Sequence, residues 1–347
     1  MTLTIDALRG SDFAQLCRQI RAAKLLDRRP GHYAARIALT GASLVVTWCA
    51  FVWVGNSWFT TIVAAVMGLV FTQIAFLGHD GGHQQVGRSK RTNDMLGIIA
   101  GDLFIGLSYG WWLDKHNRHH SHPNHEGMDP DIGDGVLAFT TRQAASRRGP
   151  LSSFVTRHQA WLFFPLLTFE GISLHVASIR GLMSRSQRRY RLLEIALFTL
   201  HVLGYFAAVL LVLSPVKALV FVAIHQAVFG LYMGCSFAPN HKGMPTFPRG
   251  RDIDFLRRQV LTSRNVRGGW FTDFLLGGLN YQVEHHLFPS MPRPSLRKAQ
   301  RIVRDYCRSL EINYTEASLI GSYSAALKHL HAMGEPLRAQ RRLSVPA

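Results

Sequence analysis

The chain has 347 residues, with 39 Lys and Arg against 21 Asp and Glu, 17 His and a formal net charge of +18. Its mean hydropathy of +0.07 averages long apolar runs with a strongly polar remainder, which excludes the two soluble domains that the length alone would allow. The four cysteines, Cys17, Cys49, Cys235 and Cys307, are scattered without a C-x-x-C, which excludes a disulfide framework and a thiolate metal site.

Residues 1–33 read either as a basic, partly amphipathic helix on a membrane surface or as a merely solvated face. The first long apolar run begins only at Ala38, too late for a cleaved signal peptide. Ala38–Val54 and Trp58–Leu77 then approach the roughly 20 residues a bilayer span needs, joined by the tight turn Gly55-Asn56-Ser57. The second run leads directly into His79-Asp80-Gly81-Gly82-His83. Residues 95–113 are apolar but broken by Gly97, Gly101, Asp102, Gly106 and Gly110, and either dip into the bilayer or lie at its surface. A full span there would carry His116-Asn117-Arg118-His119-His120 to the side opposite the first histidine motif. Residues 121–152 read as a loop. Residues 154–183 carry Arg157, His158, Glu170, His175 and Arg180 and read as an interfacial helix. Ile195–Leu213 and Val216–Phe237 form a second hairpin around Ser214-Pro215. Asn240–Val266 reads as a basic loop and Gly268–Leu279 as a short apolar stretch leading to Gln282-Val283-Glu284-His285-His286. Pro289, Pro292 and Pro294 end that element, 295–331 reads as two cytosolic helices, and the last residues read as frayed.

The distribution of charge gives a topology. Arg and Lys crowd before the first span (Arg18 to Arg36), after the second (Arg88, Lys90, Arg91), before the third (Arg180 to Arg191) and after the fourth (Lys242 to Arg258), while the hairpin turns carry none. By the positive-inside rule this predicts an integral, multi-pass protein with both termini and all three histidine motifs cytosolic. It also accounts for the net charge without nucleic acid, for which no recognition motif is present. The fold class expected is therefore an all-α integral membrane protein: four transmembrane helices as two hairpins, interfacial helices, and a cytosolic helical cap around a metal site. The expected division is a basic segment 1–33, a catalytic domain 34–334 and a tail 335–347.

The histidine motifs carry the chemistry. On a helix, residues three or four apart share one face, so each motif presents two or three ligand atoms toward one point. One His pair among 17 His means little; three motifs of one design, two of them ending in His-His, point to metal. Imidazole donors suit iron, zinc or copper. A structural zinc site stops at four ligands, so seven imidazoles and one amide suggest a two-metal catalytic centre. Iron is the metal that couples O2 to attack on unactivated C–H bonds. His225, inside the fourth span, is a functional candidate by position, with a hydrogen bond to a neighbouring helix as the alternative. His122 and His125 lie off the spacing as loop or supporting residues, and Asp102 and Glu170 either orient imidazoles or lie at the surface.

These motifs, with Pro123-Asn124 and Leu287-Phe288-Pro289 beside them, resemble the membrane-bound fatty acid desaturases, whose boxes read H-x3-4-H, H-x2-3-HH and (H/Q)-x2-3-HH. The resemblance runs from about the first span to beyond the third box, and the glutamine of that box is similar to the branch that includes front-end desaturases and bacterial relatives. It implies that His79, His83, His116, His119, His120, His285 and His286 ligate a non-haem di-iron centre, with O2 as co-substrate. Gln282 stands where other branches carry His, as a ligand or as a hydrogen-bond partner of one. The resemblance also implies a ligand between the fourth span and the third box, for which His241 is the candidate and Asn240 the weaker one. It implies a fatty acyl substrate carried by CoA, a carrier protein or a lipid. Without a His-Pro-Gly-Gly, a G-x-G-x-x-G or a cysteine run, the electrons are expected from a separate ferredoxin, cytochrome or flavoprotein reductase docking on the basic face. Hydroxylases, acetylenases and sphingolipid desaturases share the boxes and remain alternatives. A non-enzymatic membrane metal-binding protein would instead line a path through the spans.

Overall fold

The computed structural model describes residues 11–184 and 189–344, whose regular structure is almost all helix. α1 (Asp12–Ala22) precedes a long hairpin of α2 (Pro30–Val54) and α3 (Thr60–Gly82). α4 (Lys90–Ile98) runs on into a π-helical segment (Ile99–Ile105), and α5 (Tyr109–Ser121) turns back from it by 117°. The short α6 (Thr141–Ala145) is followed by α7 (Pro150–Leu167) and α8 (Glu170–Met183), bent by 81° at their junction. α9 (Arg191–Val212) and α10 (Pro215–His241) form the second hairpin. The rest is α11 (Phe255–Leu261), β1 (Arg264–Arg267), α12 (Trp270–Leu275), α13 (Gln282–Leu287), α14 (Arg293–Ser309), β2 (Thr315–Ser318), α15 (Leu319–Met333) and α16 (Glu335–Ser344).

α2, α3, α9 and α10 are long and apolar enough to cross a bilayer, so the chain is an all-α membrane protein. Their apolar faces meet around Phe51, Met67, Phe71, Phe221 and Phe229, while residues such as Trp53, Leu203 and Leu211 stand exposed, as a lipid-facing surface requires. The two hairpin tips touch: Asn56 accepts from the Ser214 amide at 3.0 Å and from Lys217 Nζ at 2.6 Å. Both hairpins therefore point the same way, and the histidine motifs lie at their other end. Small residues permit the tightest contacts, as is usual between membrane helices. A Cβ on Gly68 of α3 would stand 2.9 Å from Phe229 N and 3.0 Å from His225 O of α10. Gly68→Ala is expected to cost about 1–3 kcal/mol by overpacking, readable as a lowered unfolding temperature in detergent with the secondary structure retained.

The polar remainder folds over the histidine end as a cap. Its core is Leu16, Ile20, Leu256, Val260, Val283, Leu287, Met291, Leu296 and Val303. α1 packs on α11 and α14 rather than lying free on the membrane surface, because Leu16 and Ile20, one turn apart, fit this core. The parallel pair β1–β2, with Arg264 opposite Thr315, joins the segment before the third motif to the one after it. Three further expectations are corrected. The basic stretch 240–266 is not a loop throughout, since it holds α11 and β1, and the tail from 335 continues as helix to Ser344. The stretch 154–183 is two helices, broken at Thr168 and Phe169 just after Pro165.

Several sequence features explain how α5 and α10 are aimed. Ser108 caps α5, its hydroxyl accepting from Trp111 N at 3.2 Å, and Glu194 of α9 accepts from Ser108 Oγ at 2.8 Å and Gly110 N at 2.9 Å. Asp102 accepts from Tyr109 N at 3.2 Å, so it supports this helix start rather than an imidazole. Gly106, in the left-handed region at φ +66°, ends the π-helical segment; a Cβ there would strike His201. In α10, Pro239 cannot donate to the carbonyl of Cys235, and Tyr323 Oη takes that carbonyl at 2.6 Å. The last carbonyls of α10 are gathered by buried Arg264, which donates to Pro239 O at 3.0 Å and Lys242 O at 2.8 Å.

Candidate metal centre and adjoining cavity

α3, α5, α10 and α13 end at one place, and each brings imidazoles to it. His79, His83, His116 and His285 present nitrogens all within 4.8 Å of one another, and His119, His241 and His286 do the same beside them. His83 and His116 Nε2 are 2.8 Å apart. His241 Nε2 is 3.0 Å from His286 Nε2 and 3.3 Å from His119 Nε2. His120 lies between the two groups, its Nε2 3.1 Å from His116 Nε2 and its ring stacked on His286 at 4.1 Å. Gln282 turns its amide nitrogen to His241 Nε2 at 2.8 Å, while its oxygen accepts from Asn240 Nδ2 at 3.1 Å.

The surroundings fit metal. His79 Nε2 and His285 Nε2 are buried without a hydrogen-bond partner, a costly state for a lone pair unless a cation takes it. Burial, then the charge of neighbouring imidazoles, holds His116, His120, His285 and His286 well below the usual histidine range, so they are neutral donors at neutral pH. On the far side of several rings the other nitrogen is fixed, as metal-binding histidines require. His119 Nδ1 meets Asp129 at 3.0 Å, His241 Nδ1 donates to Thr262 O at 2.9 Å, and His286 Nδ1 donates to Gln259 Oε1 at 2.9 Å. Burial presses His119 down as well, but Asp131 and Asp129 outweigh it and raise it. Behind His79, Asp80 is held by Arg293 at 2.6 Å.

The structure thus brings all nine of the expected site residues together. Asn240 supports Gln282. His122 and His125 fall in neither cluster, and His225 is remote, its Nδ1 2.8 Å from Tyr205 Oη on α9. Gln259, Asp129, Asp131 and Arg293 were not anticipated. Asp129 and Asp131 lie within a dozen residues of His119 and had a signal in that proximity; Gln259 and Arg293 had none, because only the fold brings them near.

A cavity of about 430 Å³ opens beside the clusters and is touched by His79, His116, His119, His241, Gln282 and His285. Leu107, Leu167, Leu174, Met233 and Phe237 give it an apolar wall reaching toward the spans, and Lys115, Asp131, Glu170 and Lys242 give it a polar one. Glu170 therefore faces the cavity rather than an imidazole.

A helical membrane domain holding two adjoining histidine clusters at one end, beside a cavity with an apolar wall, defines a membrane protein with a histidine-rich site able to hold metal. Residues 56–318 match the family described as fatty acid desaturase, and the chain belongs to that family. It is 30% identical over 284 residues to an acyl-lipid (9-3)-desaturase of Physcomitrium patens, covering 80% of this chain and 54% of that protein. It is 29% identical to the Delta(6)-fatty-acid desaturase fat-3 of Caenorhabditis elegans, covering 82% and 66%. It is 26% identical to a Delta 8-(E)-sphingolipid desaturase of Kluyveromyces lactis, covering 94% and 59%. The chain thus spans little more than half to two thirds of the length of these relatives.

Proposed function

We propose that the chain is an O2-dependent acyl desaturase that inserts a cis double bond into a lipid chain at a di-iron centre. The observation that carries this reading is the pair of adjoining histidine clusters bordering one cavity with an apolar wall. His79, His83, His116 and His285 would hold one iron, and His119, His241 and His286 the other, with His120 between them and Gln282 against His241. When bound, the iron pair would supply the oxidising power: overall, two hydrogens from adjacent carbons of the acyl chain, together with O2, two external electrons and two protons, end up as two waters. The protein's part is to hold the imidazoles oriented, to keep water from the reacting carbons with Leu174, Met233 and Phe237, and to fix which carbons lie beneath the centre.

The positive flanks of the spans support placing both termini and the centre on the cytosolic side. The electrons come from an acidic ferredoxin, cytochrome or flavoprotein reductase, for which exposed Arg18, Arg21, Lys24 and Arg118 offer complementary charge. Expression in a host lacking the corresponding desaturase, with fatty-acid and long-chain-base profiling by gas chromatography–mass spectrometry, tests the proposal. A new unsaturated species is expected, absent with His285→Ala. An unchanged profile despite membrane-inserted, iron-loaded protein and a supplied donor would refute it.

A further inference from the structure

The polar wall of the cavity is the one part of it that an unsubstituted acyl chain leaves unexplained. Two of its four charges, Lys115 and Asp131, are paired with each other, and a third, Lys242, is held by a backbone carbonyl and an aromatic ring. Lys115 Nζ pairs with Asp131 at 2.5 Å, and Lys242 Nζ donates to Asp131 O at 2.7 Å while lying over the Phe139 ring at 4.0 Å. Asp131 also stands 3.5 Å from His119 Nδ1, so this trio braces the metal-binding helix. Glu170 is different. It is the first residue of α8, it lines the cavity, and among the described residues its carboxyl makes neither a hydrogen bond nor an ion pair. Burial raises its affinity for a proton, and the nearby Lys115 and Lys242 charges only partly oppose that. Ser173, one turn on along the same helix, also lines the cavity and adds a hydroxyl.

We propose that Glu170, with Ser173, forms a polar subsite that accepts a hydrogen bond from a hydroxyl or amide N–H on the lipid substrate, close to the carbons that react. The inference rests on the desaturase reading and narrows its substrate class. A half-buried carboxylate left without a hydrogen-bond partner on the cavity wall is unfavourable unless something bound there satisfies it. An anionic head group is repelled by it; of the two lysines that would attract such a group, Lys115 is paired with Asp131, and Lys242 is held by the Asp131 backbone carbonyl and the Phe139 ring. A plain acyl ester offers acceptors alone and leaves the carboxylate unpaired. A neutral donor remains: the hydroxyl of a hydroxylated chain or sphingoid base, or the amide N–H of an N-acylated lipid. Sites that hydrogen-bond a substrate group discriminate most strongly against the analogue that lacks it.

Equilibrium binding to the purified, iron-loaded full chain in detergent tests this without any electron donor. The probes are a short-chain ceramide, a 2-hydroxy fatty acid methyl ester and the unsubstituted methyl ester of the same chain length. In the wild type, at least one donor-bearing probe is expected to bind about tenfold or more tighter than the plain ester, and which one identifies the source of the donor. Glu170→Leu should bring that probe to within about twofold of the plain ester. Glu170→Gln, which keeps an accepting oxygen, should retain most of the preference. The helical content and unfolding temperature of Glu170→Leu, unchanged from the wild type, serve as the control for folding. Equal binding of all three probes by the wild type, or a preference that survives Glu170→Leu, overturns the subsite. A plain ester that itself needs Glu170 also overturns it, since the carboxyl would then be donating to an ester carbonyl. Binding of no probe at all refutes the acyl-cavity reading on which the inference stands.

Discussion

His241→Ala is expected to reduce turnover to background and to lower bound iron to about half, while the chain still inserts and folds. His241 lies outside the three motifs, at the last turn of α10, yet its Nε2 is within 3.3 Å of both His119 Nε2 and His286 Nε2. Its Nδ1 is spent on the Thr262 carbonyl at 2.9 Å, which fixes the ring with its other lone pair inward. Removing it leaves the second cluster with two imidazoles, while His79, His83, His116 and His285 keep their geometry. The buried position also means that alanine creates a space lined by metal-binding groups, which water fills more readily than it would an apolar void. Iron per chain by inductively coupled plasma spectrometry, beside product formation, gives the answer. His122→Ala is the control, because that side chain belongs to neither cluster. Full iron and normal turnover in His241→Ala would remove it from the centre.

The parts of this molecule legible in the sequence are those written in local periodicity. Hydropathy gave the spans, because a lipid-facing helix has to be apolar over its whole length; the ends were less exact, and α2 begins at Pro30 and α10 reaches His241. Spacing gave the histidines, because ligands on one helical turn repeat every three or four residues. For residues 95–113 the glycines, and the need to keep the second motif on the same side as the first, argued against a full span but left a dip and a surface segment both open; the structure bends there by 117°. What escaped was long-range. α11 is only seven residues, too short for a period, and its Arg257 and Arg258 look like loop residues until Leu256 and Val260 find the cap core. α1 finds its partner α14 at the other end of the chain. The carboxylates singled out, Asp102 and Glu170, proved to serve a helix start and the cavity, whereas Asp129 and Asp131 hold His119. Charge alone did not distinguish them, since each is an acid near a histidine motif or an apolar run.

Gln259 is the residue whose role follows most directly from this long-range assembly, and Gln259→Leu is expected to weaken iron binding about 10- to 100-fold. It is fully buried in α11. Its Oε1 accepts from His286 Nδ1 at 2.9 Å, and its Nε2 donates to the carbonyl of His120 at 2.9 Å. One amide thus sets the tautomer of a third-motif imidazole and ties it to the backbone of the second motif. Leucine matches the bulk, so packing is largely kept, but it strands the His286 N–H and the His120 carbonyl in a dry interior. With its tautomer no longer set, His286 presents a protonated Nε2 to the cluster part of the time, and a protonated nitrogen binds no metal. Gln259→Glu separates the two contacts: it keeps the acceptor for His286 and loses the donor to His120, so its iron affinity is expected to fall between wild type and Gln259→Leu. Chelator competition on the purified chain measures this independently of turnover, and the unfolding temperature of the iron-free protein reports how much of the loss is structural. Should Gln259→Leu hold iron as tightly as the wild type, the orientation of His286 does not depend on this hydrogen bond.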